Sequence, residues 1–146
     1  MSNVKPIPEG YHSITPYLVV DRAAELLEFL ERAFGATIML KMMQPDGSVG
    51  HCEVRVGDSM LMVGGAKDKW KAMPTCIYLY VEDADAVFAK ALAAGATEFS
   101  PMIDQFYGDR SGAVTDVSGN LWFIATHKVD MSEEELKRRA ATAKAH

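Results

Sequence analysis

The sequence predicts an α+β chain made of two similar βαβββ modules and a C-terminal helix. Two observations predict it. The order of predicted elements repeats, and the helix ends match: Asp21 with Gly35-Ala36-Thr37 in the first half, Asp83 with Gly95-Ala96-Thr97 in the second. A helix followed by three strands is a distinctive unit to find twice, and self-similarity of this kind precedes every other inference about a fold.

The first module spans about residues 10–65. It opens on an apolar, β-branched run from Ile14 to Val20. A helix follows from Asp21 to Phe34. Its apolar residues Ala23, Leu26, Leu27, Leu30 and Phe34 recur at three- and four-residue steps, which places them on one helical face. Asp21 is the expected N-cap, and Gly35 stands where helices commonly end. Three strands are then expected at Thr37 to Met43, His51 to Val56 and Ser59 to Val63, the first two joined by a turn at Pro45-Asp46-Gly47.

A linker at about 66–73 carries Lys67, Lys69, Trp70 and Lys71. The second module covers about 74–128. Its expected strands are Thr75 to Val81, Thr97 to Met102, Ser111 to Asp116 and Leu121 to Thr126, with a helix over Asp83 to Ala94. Beyond His127, Ser132-Glu133-Glu134-Glu135 forms a capping box that predicts a solvated helix within about 131–146. Its acidic start and the basic residues Lys137, Arg138 and Arg139 suit a helix dipole. Together these make one domain over residues 1–146.

Composition narrows the function. Of the 146 residues, 49% are hydrophobic and 24% charged, the balance of a globular protein. The net charge of -5 and the lack of a basic cluster before the C-terminal tail argue against nucleic acid as a partner. Cys52 and Cys76 lack the spacing of a metal knuckle or a disulfide framework. No signal-like or membrane-spanning run is present, so a cytoplasmic protein without a membrane partner is expected. Neither a phosphate-binding Gly loop, a dinucleotide fingerprint nor a Ser-His-Asp order occurs.

Three groups of residues carry chemistry. His51, Glu53 and Arg55 alternate on one strand and so share a face, opposite Cys52, Val54 and Val56. His51 and Glu53 are therefore candidate catalytic groups, and His12 lies just ahead of the first strand. The segment Asp104 to Arg110 offers Gln105, Tyr107, Asp109 and Arg110 beside Gly108. Such a loop orients polar ligands, and a free guanidinium at Arg110 would hold a carboxylate or phosphate bidentately. The alternative is an Asp109–Arg110 ion pair with Tyr107 packed inward. Finally, Met60 and Met62, Tyr78 and Tyr80, and Leu121 and Phe123 alternate on their strands, with Trp70 and Trp122 as further stacking surface. Thioethers and aromatic rings suit a pocket for varied planar ligands, although such residues also build ordinary cores.

Paired βαβββ modules resemble the vicinal oxygen chelate superfamily, which includes glyoxalase I, the bleomycin-resistance proteins and the extradiol dioxygenases. The resemblance rests on Ile14-Thr15-Pro16-Tyr17-Leu18-Val19-Val20-Asp21, Tyr80-Val81-Glu82-Asp83 and Asp116-Val117-Ser118-Gly119-Asn120-Leu121-Trp122. Gly50 to Ser59 and Asp104 to Gly112 look like the PhnB-like glyoxalase/bleomycin-resistance branch. The resemblance implies an open cup with helices on its outer side, a small-molecule ligand on the inner side, and a homodimer. It also implies a divalent ion in the metal-dependent members, held from the first and last strands of each module. The matching positions here are Ile14 or Thr15, Met62, Cys76 and Phe123, three of which suit a hard ion poorly.

The resulting expectation is a metal-free, cofactor-free cup that binds an amphipathic or planar ligand. His51, Met62, Tyr78, Gln105, Tyr107, Arg110, Trp122 and Phe123 are its expected contacts. The alternative is a metal-dependent lyase or isomerase with a relocated site at His12, His51 and Glu53, with His51, Glu53 and Tyr107 as catalytic candidates.

Overall fold

A computed structural model describes residues 3–143. The chain order is β1 (Tyr17–Val20), α1 (Ala23–Phe34), β2 (Thr37–Met43), β3 (Val49–Val56), β4 (Ser59–Gly65), β5 (Cys76–Tyr80), α2 (Ala84–Ala93), β6 (Thr97–Asp104), β7 (Asp109–Thr115), β8 (Leu121–His127) and α3 (Glu133–Ala140). The strands form two four-stranded sheets, ordered β1-β4-β3-β2 and β5-β8-β7-β6. In each, the first strand runs parallel to the last, and the other pairings are antiparallel. The repeat read from the sequence is thus a repeat of topology.

Alternation along the strands sorts side chains into two faces. One face of the first sheet presents Leu18, Val20, Cys52, Val54, Leu61 and Val63 to α1, whose Leu26, Leu27, Phe29 and Leu30 are equally buried. The second sheet does the same with Val114, Trp122 and Ile124 against Ala84, Phe88 and Ala91 of α2. One continuous core results, because α1 packs on α2 and the Phe34 ring lies 4.8 Å from that of Trp122. Two polar contacts join the modules as well: Arg22 Nη1 donates to the Val117 carbonyl, and Ser118 Oγ donates to that of Asp21. The other face of each sheet is left open, and the candidate sites lie there.

The element boundaries depart from the sequence reading in three places. β1 begins at Tyr17, not Ile14, because Pro16 has no N–H to give a ladder; Ile14 is 87% exposed. Asp21 does not cap α1. Arg22 takes that position in the left-handed region at φ 61, with no side-chain cap. Asp83 does cap α2, accepting from Ala86 N, so the caps match in sequence but not in structure. Lastly, Asp104 ends β6 while Asp109 and Arg110 begin β7, which shrinks the expected loop to a turn over residues 105–108. That turn needs Gly108. Its φ is +97, and a Cβ there would come within 2.3 Å of the Val129 carbonyl oxygen.

The linker closes along β1: Ala66 N donates to Val20 O and Met73 N to Val19 O, with Lys67 and Trp70 bridged between them. At the other end, Ser132 Oγ caps α3 by accepting from Glu135 N. The reciprocal half of the capping box is not made by Glu135, whose carboxylate pairs with Arg138 and Arg139. Those guanidinium groups hold its carboxyl down at about 2. The part of the predicted terminal helix at 144–146 lies outside the described residues.

Candidate functional site

The open face of the second sheet carries a linked polar cluster on an aromatic floor. Asp109, only 3% exposed at the start of β7, accepts from Tyr78 Oη (2.7 Å) and Tyr80 Oη (2.9 Å) on Oδ2. Its Oδ1 meets His127 Nδ1 at 2.8 Å, and His127 Nε2 meets Asp130 Oδ1 at 2.7 Å. Tyr107 Oη stands 3.3 Å from Tyr78 Oη. The Phe123 ring stacks on Tyr78 with centroids 5.6 Å apart, and Tyr80 leans against Tyr78 at 5.1 Å. Beneath them Ser111 is buried on the same strand face as Asp109.

Electrostatics fix the protonation of this cluster. Burial alone would raise the Asp109 carboxyl. The Tyr78, His127 and Tyr80 donors outweigh it and hold Asp109 below the usual carboxylate range. His127 is raised by its bonds to Asp109 and then Asp130, so both ring nitrogens act as donors to carboxylates. Tyr78 is raised by burial and then by its bonds to Asp109 and Tyr107, while Tyr80 is raised first by Asp109. These shifts favour the protonated form of each phenol and the charged form of the imidazole. The two phenols are held away from the range of a general base at neutral pH.

The first sheet carries a second cluster. Tyr11 Oη donates to Glu53, and burial followed by that bond pushes the phenol up to about 12. His51 lies between Tyr17 Oη (3.2 Å from Nδ1) and Glu53 Oε2 (3.4 Å from Nε2). Trp70 of the linker stacks over Tyr17 at 6.5 Å. Gly64 makes room for this arrangement, because a Cβ there would meet Tyr17 Oη at 2.7 Å.

Strand register shows which side chains the first and last strands of each module bring together. Tyr17 lies opposite Met62, and Tyr78 lies opposite Phe123. The residues paired across the first and last strands are therefore two phenols, a thioether and a phenyl ring. Ile14 and Thr15 precede β1, and Cys76 faces Leu121 one step away. Tyr78 has committed its proton to Asp109, and neither Met62 nor Phe123 offers a hard oxygen or nitrogen donor. His12 does not complete a set with His51 and Glu53: among the described residues, no three His, Cys, Asp or Glu side chains are grouped to hold a metal ion. The residues present do not fit the divalent ion of the metal-dependent relatives.

The two-module topology, the Asp116 turn and the paired first and last strands are together the architecture described by one family. A family model for the glyoxalase/bleomycin resistance protein/dioxygenase superfamily matches residues 10–124.

This chain belongs to that superfamily.

Among relatives by sequence, the uncharacterized protein Mb0911c of Mycobacterium bovis is 33% identical, with 92% of each chain covered. Among solved structures, TioX from Micromonospora sp. ML1 is 25% identical, with a TM-score of 0.66 over 83% of this chain and 100% of that one. A PhnB protein from Bacillus cereus, 19% identical, shares the fold with a TM-score of 0.60 over 79% of this chain and 99% of its own.

Within the superfamily fold, the residues singled out from sequence separate into groups. Met62, Tyr78 and Phe123 lie on the open faces at matched positions. His51 and Glu53 meet each other on the first sheet, and Tyr107 meets Tyr78 on the second, so the three catalytic candidates do not form one cluster. Gln105 closes the β6–β7 turn, donating its side-chain amide to the Ser111 carbonyl at 3.4 Å.

Two of the expected ligand contacts are corrected. Arg110 follows Asp109 on β7 and so points to the helix side. There it clasps Asp85 of α2 through Nε (2.7 Å) and Nη2 (3.0 Å) and reaches Asp104 at 3.3 Å, which uses up the fork proposed for a ligand. Nor does it pair with Asp109. Trp122 is 1% exposed in the core, with Nε1 donating to Asp116 Oδ2 at 2.8 Å. The same carboxylate binds Ser118 N, Asn120 N and Asn120 Nδ2, so Asp116 organises the turn and anchors the indole together.

Sequence reasoning missed Tyr11, His127 and Asp130. His127 lies 18 residues from Asp109 and reaches it only through the β7–β8 register. The alternation of Tyr78 and Tyr80 was the one signal of a polar centre on that face.

Among the described residues, no helix is long and apolar enough to cross a membrane.

Proposed function

We propose that this protein binds a small planar or amphipathic molecule on its open sheet faces, without a metal ion, and does so as a homodimer. One observation carries the reading: the last-strand positions that match the ligands of metal-using relatives hold Met62 and Phe123, and the register sets Tyr17 and Tyr78 beside them. Aromatic faces and a flexible thioether give contact area to flat ligands of varied outline. The phenols, tied to Asp109, supply orientation and hydrogen bonds to a ligand. Tyr17, Trp70, Tyr80, Leu40, Met42 and Ile103 are all exposed, a surface suited to a second copy closing over the site.

The test is a titration of the purified protein with flat aromatic dyes, read by tryptophan emission, together with elemental analysis and light scattering. Saturable quenching, no stoichiometric divalent ion and a dimeric mass are expected. One ion bound per chain overturns the metal-free reading, and no saturable quenching with any dye overturns the binding reading.

A further inference from the structure

A groove of about 1130 Å³ runs along the free edge of β5. On one side stands the β3–β4 turn of the first module, with Gly57, Asp58 and Ser59. On the other are Tyr78, Tyr80 and His127 of the cluster above, followed by Glu82 and Asp83. The charged groups lining it are thus three carboxylates and one imidazole. Behind the tyrosines lies the further carboxylate of Asp109, and Asp130 holds the far side of His127. Arg110 and Lys128 lie in the adjacent, smaller cavity beside α2, where Arg110 is already clasped by Asp85.

The direction of the hydrogen bonds matters as much as the charge. Tyr78 and Tyr80 both give their protons inward to Asp109. What each oxygen then offers the groove is lone pairs, which accept but do not donate; Tyr107 Oη already stands 3.3 Å from that of Tyr78, while Tyr80 is the more exposed of the two. Tyr78 is 38% exposed and Tyr80 60%, and their rings add the negative side of the aromatic quadrupole. Acceptor oxygens, ring faces and excess carboxylate all disfavour an anion and favour a flat donor.

We propose that the β5-edge groove selects a planar organic cation, such as a protonated nitrogen heteroaromatic amine. This rests on the reading of the protein as a binder of planar molecules and names the ligand class.

The closing experiment compares 9-aminoacridine, a cation near neutral pH, with acridine, which is neutral there and has nearly the same outline. Binding to the full chain is followed by dye fluorescence anisotropy. The cation is expected to bind on the order of tenfold more tightly, as a partly desolvated cation–π and carboxylate contact provides. In the double variant Asp58→Asn/Glu82→Gln, whose substitutions lie on the surface, that preference should fall to about threefold or less while acridine binding stays the same. Equal binding of both dyes to the native protein refutes cation selection, an undiminished preference in the double variant refutes its assignment to this groove, and either result leaves the binding reading intact. Binding of neither dye overturns both.

Discussion

Asp109→Asn is the most informative single change. The native carboxylate receives three donors on two oxygens: Tyr78 and Tyr80 on Oδ2, His127 on Oδ1. An asparagine has one oxygen for them. With its oxygen toward the tyrosines, the amide NH2 faces the Nδ1–H of His127, donor against donor. Turned over, it keeps His127 and forces both phenols to rotate or lose their partner. Either way at least one charge-assisted hydrogen bond is lost at a position only 3% exposed. Such bonds contribute about 1.5–3 kcal/mol each, and a stranded buried donor costs about 1–3 kcal/mol more. Relief of the buried charge offsets part of this, so a net loss of about 2–4 kcal/mol is expected. Urea unfolding followed by circular dichroism measures it. The second readout is the His127 ring, titrated by NMR. Its pKa should fall, because Asp109 is the largest source of its upward displacement. An Asn variant as stable as the native protein, with His127 titrating unchanged, would refute the account of Asp109 as the centre of this cluster.

Other outcomes follow from the same structure. Folding stability carries a pH signature from this cluster. The folded His127 pKa is raised, so its contribution is full below the unfolded value of about 6.5 and fades as pH rises through the folded value; Asp109 is lowered, so its share is present above about 3.9 and fades as pH falls through its folded value. Stability measured against pH should therefore decline on both sides, and Asp109→Asn should flatten the alkaline limb. Trp122→Phe keeps an aromatic ring against Phe34 but strands part of the Asp116 carboxylate, for a loss of about 1–3 kcal/mol in denaturant unfolding and no change in dye binding. Gly108→Ala combines a φ of +97 with a contact to the Val129 backbone. It should cost more than about 1 kcal/mol, with faster amide exchange at Lys128 and Val129, whose N–H groups donate to the Gly108 carbonyl. A strong chelator should leave the thermal midpoint of the purified protein unmoved; a drop of several degrees would contradict the absence of a metal-binding set.

Much of the architecture was legible because it is written in local terms. Apolar spacing from Ala23 to Phe34, glycine at the helix exits and the alternation on eight strands all express backbone geometry, which repeats wherever the same pattern repeats. The failures occurred where a local pattern had a distant competitor. Asp21 resembles Asp83 in sequence, yet its backbone carbonyl is engaged by Ser118 and the cap position passes to Arg22, whose guanidinium reaches Val117. Arg110 and Trp122 were read as ligand contacts because both residue types often bind ligands. Asp85 and Asp116, 25 and 6 residues away along the chain, claim them instead.

What the sequence by itself determined is the doubled module and the poverty of hard metal ligands at its matched positions, since both depend on residue type and spacing. Only the tertiary structure decided which residues form a site. Tyr17 meets Met62, Tyr78 meets Phe123, and Tyr80, Asp109 and His127 share one proton network because parallel and antiparallel registers bring separate strands together. A sheet's register depends on pairings between distant segments, and a shift of one residue turns every side chain to the opposite face. Composition can say that a face is aromatic and acidic; the direction in which each hydroxyl gives its proton is a property of the folded neighbours alone.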